Sequence, residues 1–308
     1  MEKHSDINSL TNKLEKINYL RVEKNKNLAE YASFKVGGPA DLFLTPKKTA
    51  ALKELMPLII ESDIPYFILG KGSNLIISDK GYRGIIIYTG SLNHYQLEEN
   101  KITAECGLEL KEIADLACEN SLSGFEFAAG IPGSLGGALY MNAGAYGGEL
   151  KDVIVKAQFV NQKGDLIELD KNELKLEYRS SILQKENPDW IAVSVTIELQ
   201  KSEADKIQAK MDELHNKRWS KQPMELPSAG SIFKRPPGHY TGPLIEEAKM
   251  KGYQIGGAQI STKHAGFIVN KDQATAEDIV NLIEKVKEEV YKISGVQLEV
   301  EPRFLGEF

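Results

Sequence analysis

The sequence predicts an α+β protein of more than one domain, and three observations carry that prediction. Short apolar runs of strand length (PYFIL, LIIS, WIAVSVTIEL) lie among stretches with helical periodicity. The two types do not alternate in the regular strand–helix–strand order of a doubly wound sheet. The chain has 308 residues, 42% hydrophobic and 27% charged, which is enough for two or three folded domains.

In chain order, residues 7–28 read as an amphipathic helix followed by a loop. A helix near 47–62 leads to strands at 66–69, 74–78 and 85–88, and residues 96–106 read as paired strands. LKEIADLACENSL spaces its apolar residues as a helix does, and 153–169 reads as a hairpin turning at Lys163 and Gly164. The run WIAVSVTIEL (190–199) is a long strand, followed by a charged helix over about 203–218. After a loop rich in Pro and Gly (223–243), GPLIEEAKM starts a helix and AGFIVN is a buried strand. Residues 275–293 form a strongly amphipathic helix, with Thr275 and Asp278 as a capping box and Gly295 past its last turn. The tail LEVEPRFLGEF is extended, and no internal repeat is apparent.

Composition excludes several classes of function. The formal net charge is −6, which argues against general affinity for nucleic acid or an anionic membrane. No apolar run approaches a membrane span, and MEKHSDINSL lacks the apolar core of a secretion signal. The two cysteines, Cys106 and Cys118, have no metal-type spacing and read as free buried thiols in a reducing cytoplasm. No metal site and no obligate protein partner are evident. The charge has a local reversal, however. Between Lys217 and His264 there are eight Lys or Arg against three Glu, a balance of +5, flanking the uncharged loop PSAGS. Two readings stand there, a solvated basic face and a pocket for a small polyanion.

Two glycine clusters carry the strongest signal. Gly130–Gly148 (GIPGSLGGALYMNAGAYGG) holds seven glycines in nineteen residues, between flanks that look like ordinary folded protein. Tight turns packed on a neighbouring element would produce this. A cradle of backbone N–H groups for a cofactor or phosphate is the better reading, because glycine lets backbone come close to a ligand. Gly70–Asn74 (GKGSN) lies between two short apolar runs. It fails the P-loop pattern, since Lys71 precedes Gly72, and fails G-x-G-x-x-G at Leu75. A strand–loop–strand turn remains, whose N–H groups, Ser73 and Asn74 suit a pyrophosphate.

Three short segments hold candidate chemistry. Ser231 in PSAGSIFK has small neighbours and no nucleophile elbow around it, so a proton donor or ligand hydrogen bond fits better than a nucleophile. Arg179 in EYRSS follows a stretch read as helical. Glu301 in EVEPRF stands beside Pro302 and Arg303. None of these is persuasive singly.

Taken together and in order, these segments resemble the UDP-N-acetylenolpyruvoylglucosamine reductase family. The resemblance rests on SFKVGGPADLFLTP, GKGSNLIIS, FEFAAGIPGSLGGALYMNAGAYGGE, EYRSS, PSAGSIFK, KGYQIGGAQISTKHAGFIVN and the EPR tail, and spans essentially the whole chain. It implies an FAD-binding fold of the vanillyl-alcohol-oxidase type with two α+β subdomains, here 1–91 and 92–214. It further implies a C-terminal α+β substrate domain, 215–308, with a tail that returns to the active site. It implies NADPH as hydride donor and non-covalent FAD, since GKGSN lacks an attaching histidine. It also implies an enolpyruvyl UDP-sugar as the small-molecule substrate. By motif match, Ser231 resembles the family's proton donor, and Arg179 and Glu301 its enolate-stabilising pair.

Cofactor contacts carry over onto Val36, Gly37, Gly38, Gly70, Lys71, Gly72, Ser73 and Asn74, and onto Gly130, Ile131, Pro132, Gly133, Ser134, Asn142 and Ala143. Substrate groups resemble Tyr146, Lys221, Lys234, Arg235 and His264. The family usually has Asn where this chain has Arg235, and PEVR where it has VEPR. Its length resembles the shorter type that lacks a substrate-covering tyrosine loop. Two other readings compete. A flavin-dependent alcohol or hydroxy-acid oxidase or dehydrogenase of the same superfamily would share the glycine loops without needing Ser231 with Arg179. A non-catalytic UDP-sugar sensor would not be reduced by NADPH.

Overall fold

The computed structural model describes residues 2–308, with side chains from Ile7 onward. Its contacts divide the chain into two compact units. The first comprises residues up to Lys24, Leu42–Lys71 and Gly84–Asn216; the second comprises Asn25–Asp41, Gly72–Arg83 and Lys217–Phe308.

The first unit is built on a five-stranded antiparallel sheet. Its order is Leu166–Asp170, Ile154–Val160, Ile191–Glu198, Lys101–Glu105, Tyr95–Glu98. The hairpin turns where expected, with Gly164 N–H donating to Asn161 O at 3.0 Å. Alternation sends Ala157 and Phe159 into one core and Val160 into another; a register shift opposite Gln158–Phe159 breaks the alternation of Ile191–Glu198, so Val195 and Ile197 join the first core and Ile191 and Val193 the second. Helix Leu110–Glu119 packs on the first through Leu110, Ile113, Ala114, Ala117 and Cys118, the spacing of one helical face. Helix Thr49–Ser62 fills the second through Ala51, Leu52, Leu55, Met56 and Ile59. Both cysteines are buried and unbridged, and burial pushes the Cys106 thiol above its ordinary value.

The N-terminal expectation needs correction. The helix covers Glu2–Leu14, and Leu20–Asn27 is a strand, not a loop. It is the edge of the sheet ordered Leu20–Asn27, Pro39–Pro46, Tyr82–Tyr88, Tyr66–Leu69, so polar and half-exposed residues serve it well.

The second unit packs helix Ala276–Ser294 against the antiparallel strands Gln254–Ile255, Ala258–Ile260 and Ile268–Asn270 and the short helix Thr241–Glu247. Ile279, Leu282, Ile283, Val286 and Val290 are fully buried there. The capping box forms as expected. Asp278 N–H donates to Thr275 Oγ1 at 3.0 Å, and Asp278 Oδ2 accepts from the N–H of Thr275 (3.0 Å) and of Gly257 (3.1 Å). Gly295 closes the helix at φ +70°. The tail contributes Arg303–Leu305, which pairs parallel with Leu75–Ile77.

Candidate functional site

In the first unit, the glycine-rich segment folds as a short 3₁₀ turn (Glu126–Ala128), a loop, and the helix Leu135–Met141 capped by Ser134. The loop is pinned at its edges. Gly133 O accepts from Leu110 N–H at 3.0 Å, and Leu135 N–H donates to Leu108 O at 2.9 Å. Ser134 Oγ accepts from Gly137 N–H at 3.4 Å. A Cβ built on Gly70 would sit 2.5 Å from Ser134 Oγ, so the end of the first glycine turn backs directly onto the second cluster. Lys71 forms an ion pair with Glu109, the residue bridged to Ser134. Among the described residues, the N–H groups of Gly133 and Ser134 have no protein acceptor, although both residues are buried. Buried N–H groups are nearly always paired, so water or the phosphate of a bound group suits them. An FAD pyrophosphate fits this donor set.

Beyond the helix, Gly144–Ala145 and Gly148–Glu149 form a miniature hairpin. Tyr146 and Gly147 make its two-residue turn at φ +55° and +90°, which places the Tyr146 side chain at an exposed tip. Asn142 is buried, and its side chain is committed to protein. Nδ2 donates to Glu149 Oε2 (2.8 Å) and to Glu177 O (3.1 Å), while Oδ1 accepts from Lys151 N–H (3.0 Å).

Those bonds lead to Arg179. Glu177 and Ser180 exchange two backbone hydrogen bonds of 3.1 Å, leaving Tyr178 and Arg179 as the turn. Of the preceding residues, 171–174 form turns and 175–176 are irregular, not the helix the sequence suggests; their side chains lack a continuous apolar face. Arg179 holds φ +55°, rare for a residue with a Cβ, and its guanidinium stacks 5.3 Å from the Tyr178 ring. Hydrogen bonding from Lys151 holds the Glu149 carboxyl below its ordinary value, with smaller help from Asn142 and the charges of Lys151 and Arg179.

In the second unit, PSAGSIFK becomes an extended segment held on both sides. Ile232 N–H donates to Gly266 O at 3.0 Å, and Ile232 O accepts from Glu301 N–H at 2.9 Å. Lys234 N–H donates to Glu299 O at 2.8 Å. Ser231 is exposed while its neighbour Ile232 is fully buried. Ser231 and Glu301 are therefore brought together. Asn74 joins them: its Nδ2 donates to Glu301 O at 3.4 Å, and its O accepts from Arg303 N–H at 3.0 Å. Behind this, the glycines of Val36-Gly37-Gly38 pack on their own unit. A Cβ on Gly37 would lie 2.8 Å from Ile77 Cβ, and one on Gly38 would collide with Asp79 O. The N–H groups of Gly72 and Ser73 find no protein acceptor among the described residues.

The basic groups are distributed along the same unit. Lys221 ends helix Ala204–Lys221 and is exposed. Lys234 pairs with Glu299, a partner the sequence reading missed because it lies 65 residues away. Arg235 stacks 3.9 Å over the Tyr240 ring and donates from Nε to His239 O at 3.3 Å. His264 is half-buried, packs edge-on against Phe267, and accepts the Gly266 N–H at Nδ1 (3.1 Å). Desolvation lowers its pKa, which keeps the ring neutral with its proton on Nε2.

Comparison with known proteins extends this geometry. A family model described as FAD binding domain matches residues 40–170, and one described as UDP-N-acetylenolpyruvoylglucosamine reductase, C-terminal domain, matches 222–305. The UDP-N-acetylenolpyruvoylglucosamine reductase of Caldanaerobacter subterraneus subsp. tengcongensis is 46% identical over 283 residues, 92% of this chain and 93% of that protein. That of Staphylococcus aureus (strain COL) is 45% identical over 287 residues, 93% of each chain. The crystal structure of the UDP-N-acetylenolpyruvylglucosamine reductase from Thermus caldophilus superposes with a TM-score of 0.81 at 33% identity, covering 93% of this chain and all of that one. The α+β fold, the FAD-binding region and identity along nearly the full length agree, and the chain belongs to the UDP-N-acetylenolpyruvoylglucosamine reductase family.

Proposed function

We propose that this chain catalyses the NADPH-dependent, FAD-mediated reduction of UDP-N-acetylglucosamine enolpyruvate to UDP-N-acetylmuramate. This is a cytoplasmic step of peptidoglycan precursor synthesis, on which cell shape and division depend. The observation that best supports the reading is the pairing of Ser231 and Glu301 through the 2.9 Å Ile232–Glu301 backbone bond, with Asn74 of the glycine turn bonded to the same strand. A proton donor and a carboxyl group are then fixed on adjacent backbones.

When bound, non-covalent FAD would supply the redox chemistry between NADPH and the enolpyruvyl group. The chain's own residues do the rest. Ser231 donates a proton to C2, a step worth about 10²–10⁴ in rate. Arg179 and Glu301 stabilise the enolate that develops between C2 and its carboxylate. Lys221, Lys234, Arg235 and His264 hold the UDP diphosphate, and Tyr146 contacts the substrate. Gly70, Lys71, Gly130, Ile131, Pro132, Gly133, Ser134, Asn142 and Ala143 serve the cofactor, with the buried Asn142 side chain acting through the loops it ties. Val36, Gly37, Gly38, Gly72, Ser73 and Asn74 are also assigned to it. We assign 1–91 and 92–214 to FAD binding and 215–308 to substrate binding.

The test is spectroscopic. Purified protein should carry FAD, lose its flavin absorbance with NADPH in the absence of oxygen, and regain it on addition of the enolpyruvyl substrate. Reoxidation by oxygen alone would favour an alcohol or hydroxy-acid oxidase, and failure to bleach would favour a sensor.

A further inference from the structure

We propose that Gln184, which lies outside the candidate site, is the positioning residue that holds Arg179 in its active conformation; the inference rests on the function proposed above. Gln184 lies on the short helix Ile182–Lys185. Its Nε2 donates to Arg179 O at 3.1 Å and to Tyr140 O at 2.7 Å. Both partners are carbonyl oxygens, so the amide nitrogen is the only end of the side chain that satisfies them. Tyr140 lies in the last turn of helix Leu135–Met141, where carbonyl groups lack helical partners. The buried Ser181 adds a bond from Oγ to the same Tyr140 O at 3.0 Å. One side chain thus clamps the carbonyl of Arg179 to the end of the glycine-rich helix.

The clamp is needed because of the backbone. Arg179 at φ +55° occupies a region that disfavours a side chain, and such a conformation persists only where the surroundings over-determine it. Three sets of bonds do so here: the Glu177–Ser180 pair, the Asn142 amide on Glu177 O, and Gln184 on Arg179 itself. The last grips the carbonyl of Arg179, and the bond from Ser180 N–H to Glu177 O holds the other end of the same peptide. Without Gln184 that peptide loses its bond at the Arg179 end, and the guanidinium is less firmly placed over Tyr178.

Gln184→Met keeps the length of the side chain and removes both donors. Holoenzyme of this variant should bind FAD as the parent does and be reduced by NADPH at the parental rate, within about twofold. Reoxidation by UDP-N-acetylglucosamine enolpyruvate should slow about tenfold, with KM little changed, because a positioned charge is displaced and not removed. The decisive measurement is a double-mutant cycle. In an Arg179→Ala background, Gln184→Met should slow reoxidation no further. If Gln184→Met fails to fold, Gln184→Glu keeps the shape, cannot donate, and should give the same pattern. Parental reoxidation in these variants would overturn the proposal. So would an equal slowing of both half-reactions, or an undiminished effect in the Arg179→Ala background. Parental reoxidation in Arg179→Ala alone would instead overturn the role given to Arg179. An enzyme that the enolpyruvyl substrate never reoxidises would overturn the function.

Discussion

Gly70→Ala isolates the join between the two glycine clusters. No positive φ applies at Gly70, so the backbone accepts alanine, and the whole effect comes from the new methyl group. That methyl would stand 2.5 Å from Ser134 Oγ, closer than real carbon–oxygen contacts, while its next neighbours lie at 3.7 and 4.0 Å. Ser134 cannot easily yield, being 2% exposed and engaged as the cap of helix Leu135–Met141. Overpacking of this kind costs about 1–3 kcal/mol, and displacing the cap adds about 1 kcal/mol. Ser134→Gly alone should cost only a few tenths of a kcal/mol, since glycine is itself a tolerated cap. The double variant should therefore be more stable than Gly70→Ala by roughly 2–4 kcal/mol, a reversal of sign for the serine substitution. Urea unfolding followed by far-UV circular dichroism gives the stabilities, and flavin absorbance after gel filtration gives cofactor retention. A Gly70→Ala variant as stable as the parent, or one that Ser134→Gly does not rescue, would refute the packing argument. Restored stability without restored FAD would show that the bound cofactor also needs the space at Gly70.

Ser231→Ala should leave reduction by NADPH nearly intact and slow reoxidation by the enolpyruvyl substrate at least about 10²-fold in stopped-flow traces; equal slowing of both would make Ser231 structural. Lys221→Ala and Arg235→Ala should each lower kcat/KM roughly tenfold to a hundredfold, mainly through KM, and UDP should compete less well as salt rises. Parental KM values would place both on a solvated face. The His264 pKa is depressed below its ordinary 6.5 by desolvation, so its neutral ring contributes stability fully above pH 6.5 that is lost as pH falls toward the folded value. His264→Asn, which keeps an acceptor for the Gly266 N–H, should flatten that acid limb of the stability curve; parallel curves would refute the assignment.

Local pattern made much of the fold legible. Helix Ala276–Ser294, its capping box and Gly295 follow from residues within one turn of each other, so the sequence alone suffices. Strand Leu20–Asn27 did not read as a strand because an edge tolerates the polar residues that elsewhere mark loops. The glycines illustrate a subtler limit. GKGSN and VGG read as space reserved for a ligand, yet at Gly38 and Gly72 the absent Cβ makes room for Asp79 O and Tyr31 O. A glycine announces close approach without naming what approaches. The neighbourhood of Ser231 and Glu301 depends on residues seventy apart in sequence, and only the motif order hinted at it. The turn conformation of Arg179 has no signal in the residue types of EYRSS; the bonds around it run between Glu177 and Ser180, from Gln184 five residues on, and from the distant Asn142.

The strand that pairs with both Leu75–Ile77 and the Ser231 segment has a consequence for biogenesis. Residues 299–305 leave the ribosome after every segment they bond to, so the sheet around Leu75–Ile77 waits for them while more than two hundred residues are made. Neither the serine nor the carboxyl group is in register until that moment. Domains emerging from the ribosome fold as units, but this one is closed by residues 299–305. A chain whose synthesis stops before these residues therefore lacks the pairing of the Ser231 segment with Glu301, however well its N-terminal half has folded.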